Sequence, residues 1–367
     1  MISPRMLRKH ANSAFRTTLA RVPLAFWEDI FPKDIIALCY HVVSDADLPH
    51  LQLYPYKNSL QFEADVLFAR DRAATYRQVA DCRISGATLP KNQFLFTFDD
   101  GLVQCYDTVR PILKKHGVDG VFFITTDYVD DREAFFESAL SLCLSKIAEL
   151  EAWRISDVLR EFTANENLAA DRMRDELAKG RREATRLTFG HDEARLALLD
   201  IAFGIGDGDD RLARLCNLLD VDVKDYSSAR PIFMTRAQIQ ELSREGFTIG
   251  AHGRKHRSHE ALSFDDLEEE IVRACEDVRD ITGQSRVPFA FPYSGLGIDR
   301  AILEAILRRN PIVELTFDSG CLRRDPPFVI NRVFTDIPTP SLAYEQSNIP
   351  SALHGAWSVP SAWFRSA

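Results

Sequence analysis

Three short stretches of this chain carry side chains whose types and spacing could do chemistry. The first is Thr97-Phe98-Asp99-Asp100-Gly101. Adjacent carboxylates repel one another, so keeping two side by side calls for a cation or a functional reason. One can bind a metal ion while its neighbour stays free to take a proton; the same Asp-Asp-Gly also makes a common turn. The second stretch is His252-Gly253-Arg254-Lys255-His256. On one helical turn an i, i+4 spacing brings two imidazoles to the same side, as metal-binding histidine pairs require. Two unrelated surface histidines would leave the same letters. His259 follows three residues on, with a spacing that fits the pair less naturally. The third stretch, Phe289-Ala290-Phe291-Pro292-Tyr293, reads alone as a buried strand closed by a turn and gains interest only beside the other two.

The elements that must position these residues are strands alternating with helices. Near-continuously apolar runs predict strands at Ile35–His41, Phe94–Asp100, Gly120–Thr125, Phe247–His252, Pro288–Tyr293, Val313–Asp318 and Phe328–Phe334, as strands covered on both faces must read. Helical spacing fills Leu60–Arg72, Tyr106–His116, Arg236–Glu245, Phe264–Thr282 and Arg300–Arg309. Gly117 and Gly283 close two of these, and Ser263 caps another. Such alternation implies parallel strands, either closed as a barrel or open as a doubly wound sheet. No glycine-rich turn follows the first strand to mark a nucleotide site. The three stretches all fall at C-terminal strand ends, where parallel barrels place their active sites. Residues 130–230 break the rhythm: they are rich in Ala, Leu, Arg and Glu at helical spacing and are expected to form a helical insertion. Its acidic run Gly204–Asp210 lacks the alternating ligand spacing of a calcium loop and reads as a solvated turn.

Composition bounds the class without naming the chemistry. The 367 residues suffice for one large domain with an insertion, or for two domains. A formal charge of -9 argues against nucleic acid as a partner. The seven cysteines are scattered and form no CxxC pair, so neither a disulfide framework nor a cysteine zinc site is indicated. No secretory signal or membrane span is visible, and a cytoplasmic location is expected. Residues 1–32 carry basic side chains (Arg5, Arg8, Lys9, Arg16, Arg21) and an apolar stretch from Val22 to Trp27. That pattern suits peripheral contact with an anionic membrane; a frayed or core-capping terminal helix is the simpler explanation. Oligomeric state is not legible.

Taken together and in this order, the three stretches resemble the polysaccharide deacetylase family, also called the NodB-homology family or carbohydrate esterase family 4. The family's first motif, Thr-Phe-Asp-Asp-Gly, is matched unchanged. Its second, His-(Ser/Thr)-x-x-His, is matched at both histidines, with Gly253 in the hydroxyl position. The resemblance spans about residues 33–129 and 231–336 and implies a distorted (β/α) barrel of about seven strands. The expected organisation is an N-terminal segment at 1–32, the barrel at 33–129 and 231–345, the insertion at 130–230, and a tail at 346–367. Carried over by match, Asp100, His252 and His256 are the ligands of one divalent metal ion, expected to be zinc, although nickel, cobalt or manganese suit the same set. Asp99 is the general base, and the backbone N–H of Tyr293 is the oxyanion donor. The implied activity is removal of an N-acetyl group from an N-acetylhexosamine unit of a glycan or polysaccharide precursor.

Two departures from the family pattern matter. The third motif usually reads Arg-Pro-Pro-Tyr, with its arginine steadying the base, and here Ala290 stands in that place. Members acting on exopolysaccharide poly-N-acetylglucosamine have a pattern similar to this one, Phe-Ala-(Tyr/Phe)-Pro-Tyr. Arg332, in the last predicted strand, is the candidate replacement charge; a surface arginine is the competing reading. The family's late Leu-x-His motif, source of the general acid, has no clear counterpart. His41 in Leu38-Cys39-Tyr40-His41 is preferred for that role over His354, and a histidine satisfied within the core remains its alternative. Rival functions are a barrel amidohydrolase acting on a non-sugar amide, a carbohydrate-binding relative without catalysis, and a structural partner protein.

Overall fold

The computed structural model describes residues 34–164, 192–337, 347 and 349–357, the last four of these without side chains. The N-terminal segment 1–32, with its membrane-facing pattern, and most of the tail at 346–367 lie outside the described residues. Two compact units emerge. One comprises residues 1–45, 55–130 and 233–367; the other comprises 46–54 and 131–232.

The first unit is a closed barrel of seven parallel strands in sequential order: β1 (Ile35–Tyr40), β2 (Gln93–Phe98), β3 (Gly120–Ile124), β4 (Thr248–Ala251), β5 (Val287–Ala290), β6 (Val313–Asp318) and β7 (Val329–Phe334). The open-sheet alternative is thereby excluded, since β7 pairs with β1 through Ala37↔Arg332, Leu38↔Val333 and Cys39↔Phe334. Both faces of each strand are covered, which is why the runs are apolar throughout. Ile35, Ala37, Leu95, Val121, Phe123, Ala290, Leu315, Phe317 and Ile330 form one cluster drawn from six strands, the barrel interior. Their sequence neighbours Ile36, Leu38, Phe94, Phe96 and Phe122 join a second cluster with Ile249 and the surrounding helices. Strand periodicity of two separates these layers.

Around the barrel run α1 (Ser59–Ala69), α2 (Tyr76–Ser85) and α3 (Arg110–His116). The sequence reading missed α2. Its start is nonetheless written locally: Thr75 and Gln78 form a reciprocal capping box, and Gly86 closes it in the left-handed conformation. The expected helix Tyr106–His116 is regular only from Arg110, after a π-turn at Cys105–Val109. Pro111 has no N–H to donate back to this turn, so the pattern continues while the hydrogen-bond ladder changes. Behind β1, buried Lys57 pairs with Asp65, which also accepts from the Tyr40 hydroxyl at 2.9 Å and the Ser347 hydroxyl at 2.9 Å. This network fixes the end of the strand that leads into His41.

The second unit is helical: α4 (Phe136–Glu149), α5 (Ala152–Thr163), α6 (Glu193–Phe203), α7 (Asp210–Leu219) and α8 (Val223–Ala229). Its apolar stripes meet in a core that includes Leu140, Ile147, Ile155, Phe162, Leu198 and Leu215. Asp209, at the end of the acidic turn, caps α7 by accepting from the Arg211 N–H. The chain then returns to the barrel unit through α9 (Arg236–Arg244), α10 (Phe264–Thr282) and α11 (Arg300–Arg309), with α12 (Ile349–Trp357) last. No described helix is long and apolar enough to cross a membrane.

Candidate metal centre at the barrel mouth

Asp99 and Asp100 follow β2 directly but face different ways. Asp99 continues the strand alternation inward, and its N–H donates to the Tyr40 carbonyl at 2.9 Å. Asp100 takes a left-handed backbone conformation (φ 73°), which swings its side chain out of that alternation. Gly101 makes the turn possible, because its φ is +84° and a Cβ there would sit 2.6 Å from Ile124 Cγ2.

The two histidines do not lie on a helical turn, contrary to the expectation from their spacing. His252 follows β4, and Gly253 (φ 72°) and His256 (φ 53°) both adopt left-handed backbone. Looped rather than helical, the segment doubles back and presents both rings to one carboxylate. It is knitted to the loop after β3 by Thr126 N–H to the Gly253 carbonyl (3.2 Å) and Asp127 N–H to the Arg254 carbonyl (3.0 Å). Glu270 of α10 accepts the Arg254 N–H at 2.7 Å. Ring nitrogen Nδ1 of His252 lies 2.9 Å from the Ala290 carbonyl, which sets the ring so that Nε2 faces Asp100.

Asp100 Oδ1 lies 3.4 Å from His252 Nε2 and 3.3 Å from His256 Nε2. Ligands placed tetrahedrally at roughly 2.0–2.2 Å from a zinc ion stand roughly 3.3–3.6 Å apart, so these gaps fit a shared cation. All three residues are buried, and neither Asp100 oxygen makes a hydrogen bond of acceptable geometry. A buried carboxylate left in that condition is costly unless a cation completes it. Burial alone would favour its neutral form, yet His256 and His252 hold Asp100 well below the usual carboxylate range. Asp100, His252 and His256 therefore form a set that could hold a metal ion.

Beside it lies a second group built from residues far apart in sequence. Because β1 stands between β2 and β7, barrel closure brings Asp99 and Arg332 together. Arg332 Nη1 donates to Asp99 Oδ1 at 2.5 Å and Nη2 to Asp99 Oδ2 at 2.8 Å, a bidentate pair. Arg332 is 2% exposed, which discards the surface-arginine reading. Burial pushes the Asp99 carboxyl upward, but the Arg332 guanidinium outweighs it and keeps the group below its ordinary value. His41 Nε2 sits 4.0 Å from Asp99 Oδ2. Its Nδ1 lies 2.5 Å from Asp336 Oδ2, while its backbone N–H donates to Asp336 Oδ1 at 3.0 Å. Burial would lower the imidazole pKa; Asp336 overrides that and pushes it up to about 9. With 18% of its side chain exposed, His41 sits at the barrel mouth, its Nδ1 engaged by Asp336.

Asp336 escaped the sequence reading, although it stands at a C-terminal strand end like the others; a single Asp after a strand carries no pattern. Cys39 escaped it as well, and its thiol donates toward Asp99 Oδ2 at 3.6 Å. Tyr293, 54% exposed, adopts φ 57° and lays its ring 4.8 Å from that of His256. Buried Asp318 fastens this loop by accepting the Gly295 N–H at 2.9 Å, and the Ser319 hydroxyl donates to the Tyr293 carbonyl at 2.9 Å. His259 joins neither group and instead faces Glu270 at 3.9 Å and the rings of Phe289 and Phe291. The side chain of His354 lies outside the described residues.

Three solved structures are similar at low identity. A Streptococcus pyogenes deacetylase, PplD, in complex with acetate is 13% identical, with 85% of this chain and 95% of that one covered at a TM-score of 0.49. IcaB from Ammonifex degensii is 16% identical, with 87% and 96% covered at 0.47. A de-N-acetylase from Aggregatibacter actinomycetemcomitans is 14% identical, with 85% and 97% covered at 0.47. Among curated proteins none matches. The family model described as polysaccharide deacetylase matches residues 86–181 and 218–308, more than half of the chain and including Asp99, Asp100, His252, His256 and Tyr293. With that match over more than half of its length, including the Asp-Asp pair and both histidines of the candidate metal centre, the chain belongs to the polysaccharide deacetylase family.

Proposed function

We propose that this protein is a metal-dependent hydrolase that removes N-acetyl groups from an N-acetylhexosamine unit of a glycan or polysaccharide precursor. The observation that carries the reading is the buried, otherwise unbonded Asp100 carboxylate facing two imidazole nitrogens at 3.3–3.4 Å, with an Arg-paired carboxylate alongside. Zinc is the proposed ion, since a mixed set of nitrogen and oxygen ligands leaving open positions suits hydrolytic zinc. When bound, such an ion polarises the acetyl carbonyl and lowers the pKa of the attacking water toward about 7.

The chain's own residues supply the remaining steps. Asp99, kept ionised by Arg332, accepts the proton released as water attacks. The Tyr293 backbone N–H donates to the carbonyl oxygen as charge develops there. His41, held protonated by Asp336, delivers a proton from Nε2 to the leaving amine, so that the sugar departs as a neutral amine rather than an unstable amide anion. Arg332 and Asp336 are positioning residues: each fixes the ionisation state and orientation of a partner that acts on substrate.

Acetate release from chito-oligosaccharides, compared with release from small non-sugar amides, tests this reading on metal-loaded protein. Turnover of the acetylated sugars that is lost in Asp99→Asn supports it. Hydrolysis of the small amides alone contradicts the substrate assignment.

A further inference from the structure

We propose that the barrel mouth holds a second cation site, for a thiophilic divalent ion such as zinc or cadmium, formed by the Cys39 thiol, the His41 imidazole and the Asp99 carboxylate. Cys39 and His41 are two residues apart at the end of β1, so strand alternation turns both to the same face, and Asp99 lies on the neighbouring strand. The sulfur is 3.6 Å from Asp99 Oδ2, His41 Nε2 is 4.0 Å from the same oxygen, and all three ligand atoms lie within 4.8 Å of one another. Sulfur at about 2.3 Å and nitrogen or oxygen at roughly 2.0–2.2 Å from one ion imply edges of roughly 3.3–3.6 Å. Small rotations therefore close the set.

Two further features favour an ion here. Asp336 grips His41 through Nδ1 and the backbone N–H; a carboxylate on the far nitrogen is the usual device for aiming a ligating imidazole. The surroundings also carry Asp99, Asp100 and Asp336 against Arg332 and His41. Arg332 occupies one direction of each Asp99 oxygen, so this site binds more weakly than Asp100, His252 and His256. The thiol sets the selectivity: a soft ion gains from sulfur, whereas magnesium or calcium does not. Binding displaces the thiol proton and the proton on His41 Nε2 to solvent, leaving thiolate and neutral imidazole as ligands. If the proposed deacetylase reading holds, an ion here ties up both the base and the acid, so excess zinc inhibits the enzyme that the first equivalent activates.

Cadmium titration of the metal-free full chain tests the site without reference to activity. The expected result is two equivalents, the weaker one accompanied by a thiolate-to-cadmium charge-transfer band in the ultraviolet. Cys39→Ser, which keeps the size and the hydrogen bond to Asp99, should lose the band and the weaker equivalent; Asp100→Asn should lose the tighter one and keep the band. X-ray absorption at the cadmium edge of wild-type protein at two equivalents, which needs no variant to fold, should show one sulfur and an added imidazole. Saturation at one equivalent, a band that survives Cys39→Ser, or a cadmium spectrum without sulfur overturns the proposal.

Discussion

The mouth of the barrel and the core of the helical unit bury opposite kinds of side chain. At the barrel mouth Asp99, Asp100, His252, His256, Arg332 and Asp336 are all buried, and every one is charged or titratable. The apolar cluster of the helical unit is made mainly of leucine, isoleucine, valine and phenylalanine, with Ala202 and Cys143 among them. Buried charge carries a desolvation penalty of several kcal/mol per ion that pairing only partly offsets. Isolated cases elsewhere are paired or neutral, as Lys57 is with Asp65 and His50 is against Tyr226, whereas the mouth gathers six such groups. The contrast locates the chemistry in the barrel before any mechanism is considered, and assigns the helical unit's interior to packing.

The largest effects should come from the carboxylate pair, which separates metal binding from proton transfer. Asp100→Ala should remove the bound metal and bring activity to background, whereas Asp99→Asn should retain metal and lower kcat by about 10²–10⁴-fold. Metal analysis beside acetate release reads both; a variant pair that loses metal together would merge the two roles. Next is Arg332→Ala. It strands a buried carboxylate, and breaking a buried pair in this way costs about 3–5 kcal/mol, measurable by urea denaturation of metal-free protein. A cost under 1 kcal/mol would mean that Asp99 finds water or another partner.

In the helical unit, Ile155→Ala in the fully buried core should cost about 2–5 kcal/mol through the cavity it leaves. Metal content should not change, and any loss of metal would break the division of labour. Smaller still is the unit's response to acid. His50 is buried against Tyr226 at 2.8 Å, and burial, aided by Arg230, lowers its pKa to about 4. A histidine depressed in the fold binds its proton more readily when unfolded. Stability therefore falls as pH drops below about 6.5, by about 1–2 kcal/mol at pH 5, and His50→Gln should flatten that slope. At the barrel mouth the sign reverses. His41, raised to about 9 by Asp336, contributes stability that is complete below about 6.5 and lost as pH rises through about 9. NMR titration of metal-free Asp336→Asn should find the His41 pKa displaced downward; an unmoved value would detach the pair.

Much of this was written locally. The seven strands announce themselves because both faces of a parallel barrel strand are covered, and α10 and α11 because their apolar stripes repeat at helical spacing between clear caps. The candidate metal set was legible because Asp-Asp-Gly and the paired histidines are compact motifs. Arg332 was legible only as the answer to a gap left at Ala290, since no local signal distinguishes a barrel-facing arginine from an exposed one. Asp336 and Cys39 were invisible for the same reason: their partners are set by strand pairing, of β7 with β1 across 295 residues for His41 and Asp336, and of β1 with β2 across 60 for Cys39 and Asp99. The histidine loop misled in a different way. Its i, i+4 spacing imitates a helical turn, whereas left-handed backbone at Gly253 and His256 is what turns both rings to Asp100.

X-ray absorption at the zinc edge, on protein carrying a single equivalent, tests the central claim most directly. Two imidazoles bound to the ion, light oxygen ligands and no sulfur are expected, with the signal abolished in Asp100→Ala. Fewer than two imidazoles, or sulfur bound at that first equivalent, would contradict it.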